Sequence, residues 1–267
     1  MRIAQVCPKY YPHIGGVEKY VQQVSEGLAK NGFEVTVLTT DPTRKLESTE
    51  VINGVSINRF GSFAPSEIGY LSVSLFNSLR KIGVDIVHAH GYRALPMLFA
   101  ALAKSGNRAK LVVTPHLGFS KLGRCFYQLY DPSLGKLIFS RADKIALVSP
   151  AELDENPVLQ EYKDKITMIP IGIDTTMIKE HDRGDDISRL ELIYVGRMEK
   201  KKGLDKLVQV MNELKGIPIR LTLVGEGPFT PGILRATRET GNIEFRGKLS
   251  EEELHELYSN SHVFALL

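Results

Sequence analysis

Short apolar runs alternate with amphipathic segments along the whole chain. Runs such as Arg2–Cys7 and Leu192–Val195 have the length and residue types of buried parallel strands. Between such runs, apolar residues recur at helical spacing, as at positions 17, 21, 24 and 28, and Asn31-Gly32 ends that predicted helix. The alternation predicts an α/β protein with parallel sheets and crossover helices.

The pattern predicts ten such strands, one hairpin and seven helices. The strands are Arg2–Cys7, Phe33–Thr39, Asp85–His90, Lys110–Thr114, Lys144–Val148, Ile166–Ile169, Leu190–Val195, Ile219–Val224, Ile243–Phe245 and Val263–Leu267. The helices are Val17–Lys30, Glu67–Ile82, Ala94–Ala103, Ala151–Tyr162, Leu204–Leu214, Ile233–Thr240 and Glu251–Tyr258. Val51–Phe60 reads as a hairpin with Asn53-Gly54 at its turn, and Ser250–Glu253 fits a capping box.

A charged segment interrupts the alternation and divides it into two series. Residues 175–188 include Gly184-Asp185-Asp186 and have the composition of a linker. We therefore expect two Rossmann-like domains, at 1–174 and 190–267, joined by residues 175–189. The second series has only four predicted strands, so we expect the second domain to be incomplete at its C-terminus.

Composition and charge restrict the class of protein. No apolar run approaches the roughly 18 residues of a membrane span, and no signal peptide is visible, which favours a cytoplasmic location. Cys7 and Cys125 predict neither a disulfide framework nor a zinc site. The net charge is only +3, but residues 104–144 hold eight basic and two acidic residues. This excess is too local for a nucleic-acid-binding protein, and an anionic membrane surface suits it better.

The segment Leu190–Gly203 carries the main candidate chemistry. A predicted strand stops at Gly196, Arg197 follows, and Lys202 precedes the next predicted helix. Open α/β sheets bind ligands at the carboxyl ends of their strands, and a helix start there favours anions. An Arg and a Lys at such a position suit a diphosphate. The alternative is a solvated basic turn.

Other predicted strand ends carry glycine or histidine. Gly15-Gly16 lies between the first strand and the first helix, where paired glycines let a ligand approach the backbone; a simple tight turn is the alternative. Glu226 and Gly227 follow Ile219–Val224, and Gly247 follows Ile243–Phe245, so a nucleotide cradle is expected at these strand ends. His90 and His116 each follow a strand. His88 joins them as a candidate metal ligand, although no carboxylate cluster accompanies the three.

These pieces occur in one order along almost the whole chain. They are Gly15-Gly16, Asp85–His90, Thr114–His116, Ile169–Asp174, Val195–Gly203, Val224–Pro228 and Phe245–Gly247. In this order the chain resembles glycosyltransferase family 4, whose members are retaining, nucleotide-sugar-dependent enzymes. The resemblance implies the GT-B fold of two Rossmann-like domains, and transfer of a sugar from a nucleotide-diphosphate sugar to a lipid, glycan or small-molecule acceptor.

The resemblance also implies roles for particular residues. Arg197 and Lys202 would hold the diphosphate and stabilise the leaving group, and His116 would lie beside the donor sugar. Gly15, Gly16, Gly196, Glu226, Gly227 and Arg246 would complete the donor site, with the backbone near Arg246 against the base. His90 and Tyr92 would lie on the acceptor side. Neither a metal nor another cofactor is implied, because the two cations take the metal's place.

The chain departs from the family pattern after Val263–Leu267. The family continues with a Pro-Ser loop and two glutamates eight residues apart, which contact the donor, and these are expected to be missing. A second interpretation is therefore a catalytically incompetent nucleotide-binding or partner module. A third, a nicotinamide-dependent dehydrogenase, lacks a three-glycine fingerprint after either first strand.

Overall fold

The protein folds into two compact units, Met1–Gly172 and Ile173–Leu267. The structure is a computed structural model, and it describes residues 1–65, 69–106, 108–117, 128–173 and 188–266. The predicted linker lies almost entirely outside the described residues.

The first unit is built on a sheet of eight strands, in the order β3-β4-β2-β1-β5-β6-β7-β8. All neighbours pair in parallel except β3 and β4. The strands are β1 Arg2–Val6, β2 Glu34–Asp41, β3 Thr49–Ile52, β4 Val55–Gly61, β5 Ile86–His90, β6 Lys110–Thr114, β7 Lys144–Leu147 and β8 Ile166–Met168. β1 and β5 are central strands whose apolar side chains are buried, and Gln5 and His90 are buried polar residues within them.

Helices pack against this sheet and close two apolar cores. They are α1 Gly16–Lys30, α2 Val73–Lys81, α3 Leu95–Ala103, α4 Lys136–Arg141 and α5 Ala151–Glu155, with a π-helical turn at Asp131–Gly135 and 3₁₀ segments at Lys104–Gly106 and Pro157–Lys165. The larger core includes Leu75, Met97 and Phe139, and a second includes Val21 and Ile57.

The predicted hairpin is confirmed as β3 and β4. Asn53 has φ 49° and Gly54 has φ 79°. Two consecutive residues with positive φ form the turn that matches strand twist, and Asn-Gly adopts it at low cost. β4 then pairs in parallel with β2, which joins the hairpin to the main sheet.

Two predicted helices are shorter than the pattern indicated. The helix predicted over Glu67–Ile82 begins at Val73, because Gly69 and Tyr70 have positive φ and Ser72 caps the helix by accepting a hydrogen bond from the Leu75 N–H. Glu67 itself lies outside the described residues.

The helix predicted over Ala151–Tyr162 ends at Glu155. Asn156 takes an extended conformation (φ −134°, ψ 94°), as expected before Pro157, and a 3₁₀ segment follows. The chain is therefore broken at the Asn156-Pro157 step rather than continuously helical.

The second unit contains a four-stranded parallel sheet in the order β11-β10-β9-β12. Its elements are β9 Leu190–Val195, α6 Leu204–Glu213, β10 Ile219–Val224, α7 Thr230–Thr240, β11 Ile243–Gly247, α8 Glu251–Ser259 and β12 Val263–Phe264. The predicted capping box at Ser250 and Glu253 is present in both directions. Tyr194, Met198 and Leu221 lie in its core.

Candidate functional site

Two histidines, one buried and one partly exposed, meet at the carboxyl ends of β5 and β6. His90 is fully buried, and its Nδ1 lies 3.2 Å from Nε2 of His116. Its Nε2 lies 2.7 Å from Oε1 of Gln5, a polar residue in the centre of strand β1. The three side chains therefore form one chain of hydrogen bonds across three neighbouring strands.

Aromatic and hydroxyl groups enclose this chain. The Tyr20 ring on α1 packs edge-on against His116, with a centroid distance of 4.8 Å. His88 stands two residues before His90 and on the same face of β5, as predicted, with ring centroids 4.1 Å apart. The Nε2 atom of His88 lies 2.8 Å from the Thr114 hydroxyl.

Burial keeps all three histidines neutral at physiological pH. Desolvation lowers the pKa of His116 to about 4. Desolvation also lowers the pKa of His88 to about 3, and the neighbouring His116 adds to this second shift. Burial, together with His88 and His116, holds the pKa of His90 well below its ordinary value. Neutral imidazoles present one donor and one acceptor each, so this cluster offers polar contacts rather than charge.

The backbone at His116 is held in an unusual conformation. Its φ of 49° lies in the left-handed region, which residues other than glycine seldom adopt. The carboxylate of Glu152, which is only 3% exposed, accepts hydrogen bonds from the Leu117 N–H at 2.8 Å and the Val148 N–H at 2.9 Å. The Tyr92 N–H binds the Pro115 carbonyl at 2.8 Å. Surrounding structure thus fixes His116, as is typical of functional sites.

The remaining candidates of the first unit are at the same sheet edge. Gly16 begins α1, one turn before Tyr20, and a Cβ on Gly16 would meet no atom within 4 Å. The carboxylate of Glu18 folds back beside Gly15. Tyr92 packs inward instead: its ring stacks on Phe139 at 5.2 Å, and burial raises the pKa of its hydroxyl.

His90 cannot contact an acceptor directly in this structure, because its side chain has no exposed surface. Of the histidines expected at this edge, only His116 is partly exposed and also joined to the buried hydrogen-bond chain. The described residues contain no group of three His, Cys, Asp or Glu side chains arranged to hold a metal ion.

In the second unit, two loops interlock beyond the carboxyl ends of β9 and β10. The Gly196 N–H donates to the Val224 carbonyl at 3.0 Å, and the Met198 N–H to the Glu226 carbonyl at 3.1 Å. The parallel pairing thus continues past the strands. Met198 is fully buried and fixes the loop from inside.

Gly225 and Gly227 permit this close approach. A Cβ on Gly225, whose φ is 122°, would overlap the Gly196 backbone, and a Cβ on Gly227 would overlap that of Met198. Their N–H groups are already bound, by Gly247 O for Gly225 and by Thr230 Oγ1 for Gly227. These two N–H groups therefore serve loop packing rather than an open cradle.

The charged candidates of the second unit extend from these fixed loops. The Arg197 side chain is 58% exposed and lies 3.2 Å from Glu199. Lys202 is exposed at the end of a 3₁₀ turn, Lys200–Lys202, and Gly203 (φ 70°) joins that turn to α6. Glu226 lies 3.4 Å from Lys248, and Arg246 lies 2.6 Å from Glu244.

Part of the basic segment 104–144 forms internal ion pairs. Lys104 and Lys110 contact Asp143, and Lys136 lies 2.8 Å from Glu161. Residues 107 and 118–127 of this segment lie outside the described residues. No helix in the described part of the chain is both long and apolar enough to cross a membrane.

The sequence pattern does not predict Gln5, Tyr20 or Glu152 as parts of the site. Gln5 had a sequence signal, since it is polar in the middle of an apolar strand. Tyr20 and Glu152 are ordinary helix residues in sequence, and only the fold brings them to His116.

Family models match both units. Residues 14–177 match the model "Glycosyltransferase Family 4", and residues 189–267 match "Glycosyl transferases group 1". The chain belongs to glycosyltransferase family 4. It is 27% identical to the O-antigen chain mannosyltransferase C of Escherichia coli over 97% of this chain and 70% of that protein.

A second relative agrees with this assignment, and a solved structure shows the same fold. The GDP-mannose:cellobiosyl-diphosphopolyprenol alpha-mannosyltransferase of Xanthomonas oryzae is 26% identical over 100% of this chain and 72% of its own length. The structure of Alr3699/HepE from Anabaena with UDP-glucose covers 100% of this chain and 73% of its own, with 15% identity and a TM-score of 0.70. The predicted GT-B fold is confirmed, and this chain is a glycosyltransferase by family.

Proposed function

We propose that this glycosyltransferase transfers a sugar from a nucleotide-diphosphate sugar to a lipid, glycan or small-molecule acceptor, with retention of anomeric configuration. One observation carries the proposal: Arg197 and Lys202 are exposed cations in the hydrogen-bonded segment that follows the carboxyl end of β9. UDP-glucose and GDP-mannose, which the names of two similar proteins contain, share a diphosphate.

Arg197 and Lys202 hold the donor diphosphate in this proposal. A guanidinium offers two parallel N–H donors and an ammonium adds a point charge, so together they offset the charge that develops on the leaving nucleotide. Gly196 and Gly227 shape the loop that presents them. The backbone at Arg246 contacts the base, and Glu226 completes the donor site. No divalent metal and no other cofactor takes part.

His116 contacts the donor sugar. Its neutral imidazole forms hydrogen bonds without adding charge, which suits a sugar hydroxyl. Gly15 and Gly16 let the donor phosphates approach the N-terminus of α1, where free N–H groups favour anions. Tyr92 and His90 support the acceptor side from within the fold.

Nucleotide titration tests the proposal. Arg197→Ala and Lys202→Ala should each weaken binding of UDP or GDP by about 1.5–3 kcal/mol, the range for hydrogen bonds to charged groups. Lys215→Ala, a change at an exposed lysine beyond α6, is the matched control. Binding should persist in EDTA. Unchanged diphosphate affinity in both variants would contradict the assignment of Arg197 and Lys202 to the donor site.

The acceptor class needs a separate test. The basic segment 104–144 supports a membrane-surface acceptor, although several of its cations are paired internally. Sedimentation with vesicles that contain anionic lipid, against neutral vesicles, decides between a membrane-bound and a dissolved acceptor.

A further inference from the structure

The donor and the acceptor of each hydrogen bond among Gln5, His90 and His116 can be assigned. An amide oxygen can only accept, so the His90 Nε2 that faces Gln5 Oε1 at 2.7 Å carries the hydrogen. A neutral imidazole has one N–H, so His90 Nδ1 is then an acceptor. His116 Nε2, 3.2 Å from that acceptor, must donate.

His116 is consequently left with a lone pair at Nδ1. That atom has no hydrogen-bond partner among the described residues, and the His116 ring is partly exposed. We propose that Gln5 and His90 are positioning residues: they fix the His116 tautomer with hydrogen on Nε2, so that Nδ1 is offered as an acceptor to a ligand hydroxyl. Under the proposed function, on which this role rests, the hydroxyl belongs to the sugar.

The placement of Gln5 supports a role beyond stability. It is fully buried in the central strand β1, where every neighbour along the strand except Arg2 is apolar. Its amide nitrogen is buried with no partner in the described part of the chain. A buried unpaired donor is unfavourable, and an apolar residue would avoid it. What Gln5 provides and an apolar residue would not is an acceptor for the hydrogen bond from His90.

The opposite amide orientation would reverse every bond of the chain. Gln5 would then donate to His90 Nε2, His90 Nδ1–H would donate to His116, and His116 would carry its hydrogen on Nδ1. We call the hydrogen-bonded chain Gln5–His90–His116, with each bond in the proposed direction, the relay. The tautomer of His116 therefore reports directly on it.

Nitrogen NMR of the protein labelled with ¹⁵N-histidine tests this relay near neutral pH. Two-bond ¹H–¹⁵N correlations distinguish the tautomers, and loss of signals in His116→Gln identifies those of His116. We expect hydrogen on Nε2 in the wild-type protein. Gln5→Met, of similar length but without an acceptor, and the shorter Gln5→Asn should both lose this preference and give mixed tautomers. Thr114→Val, which removes the hydroxyl that contacts His88 and Tyr20 but no bond of the Gln5–His90–His116 chain, should retain it.

Two results would overturn the relay: hydrogen on Nδ1 of wild-type His116, or an unchanged single tautomer in both folded Gln5 variants. If neither Gln5 variant folds, the wild-type tautomer alone decides. The spectra require no nucleotide sugar. A failed relay therefore leaves the proposed sugar transfer standing, and a chain that binds no nucleotide diphosphate can still show the relay.

Discussion

The glycines at the two groups of strand ends have different physical roles. A Cβ at Gly16 would stand in open space within its own unit, whereas one at Gly227 would overlap the Met198 backbone. Gly225 and Gly227 are thus required by the close packing of the two loops in the second unit. No contact within the described fold requires glycine at position 16, so the proposed approach of a ligand to this backbone can be tested there without disturbing the packing.

Gly16→Ala should separate stability from binding. Alanine is favoured over glycine in helices by up to about 1 kcal/mol, so thermal unfolding should be unchanged or slightly shifted upward. If the phosphates approach this backbone as proposed, the added methyl group obstructs them and donor affinity should fall. Calorimetric titration with UDP-glucose and GDP-mannose measures this, and full affinity in the variant would show that no ligand reaches this backbone.

Gly227→Ala should do the reverse. The added Cβ forces the 225–227 loop away from Met198 and disturbs a packed core, which costs about 1–3 kcal/mol. We expect a lower urea midpoint for the second unit. Gly16→Ala is its control, and an unchanged midpoint would mean that the two loops are not packed as described.

At the scale of elements, the strands with strong apolar runs were predicted closely from sequence; β6, β9 and β10 have the predicted bounds. The largest errors in helix boundaries, those of α2 and α5, are set by local backbone geometry. The start of α2 depends on the positive φ of Gly69 and Tyr70, and the end of α5 on the extended Asn156. His116 and Arg197 could be identified from the sequence because each follows the end of a predicted strand. The contacts of Gln5 and Glu152 join residues up to 85 positions apart, which periodicity cannot reveal.

The histidine cluster on β5 and after β6 makes stability depend on pH. In the unfolded chain these side chains take up protons below their ordinary pKa of about 6.5. In the folded protein His116 does so only near 4, and His88 only near 3. The unfolded state therefore binds more protons in this window, and the free energy of unfolding must fall as the pH falls from about 6.5 towards 4.

Urea unfolding between about pH 7 and pH 5 should show this loss, roughly 2 kcal/mol for each fully shifted histidine. The window lies above the ordinary pKa of carboxylates, so histidines dominate it. His88→Gln should reduce the dependence, and His255→Gln, outside the cluster, should not. A pH-independent midpoint would mean that the cluster is protonated or solvated when folded.

At the scale of the whole molecule, the chain spans about 70% of the length of the relatives it matches, and both family models lie within it. The candidate residues are divided between its two compact units. His116 is in the first, and Arg197 and Lys202 are in the second. Binding experiments on single residues do not show whether these residues serve one ligand. Kinetics do, because binding and turnover can be affected separately.

His116→Ala and Lys202→Ala should therefore have contrasting kinetic effects. A contact made mainly in the transition state lowers kcat and kcat/KM together, so His116→Ala should lower turnover by at least about tenfold and change donor affinity little. Lys202→Ala should weaken donor binding as well as turnover. Donor hydrolysis and transfer, measured with the Lys215→Ala variant as the control, give both constants. If His116→Ala turns over like the parent while Lys202→Ala does not, His116 has only a structural role, and sugar recognition must be sought elsewhere in the first unit.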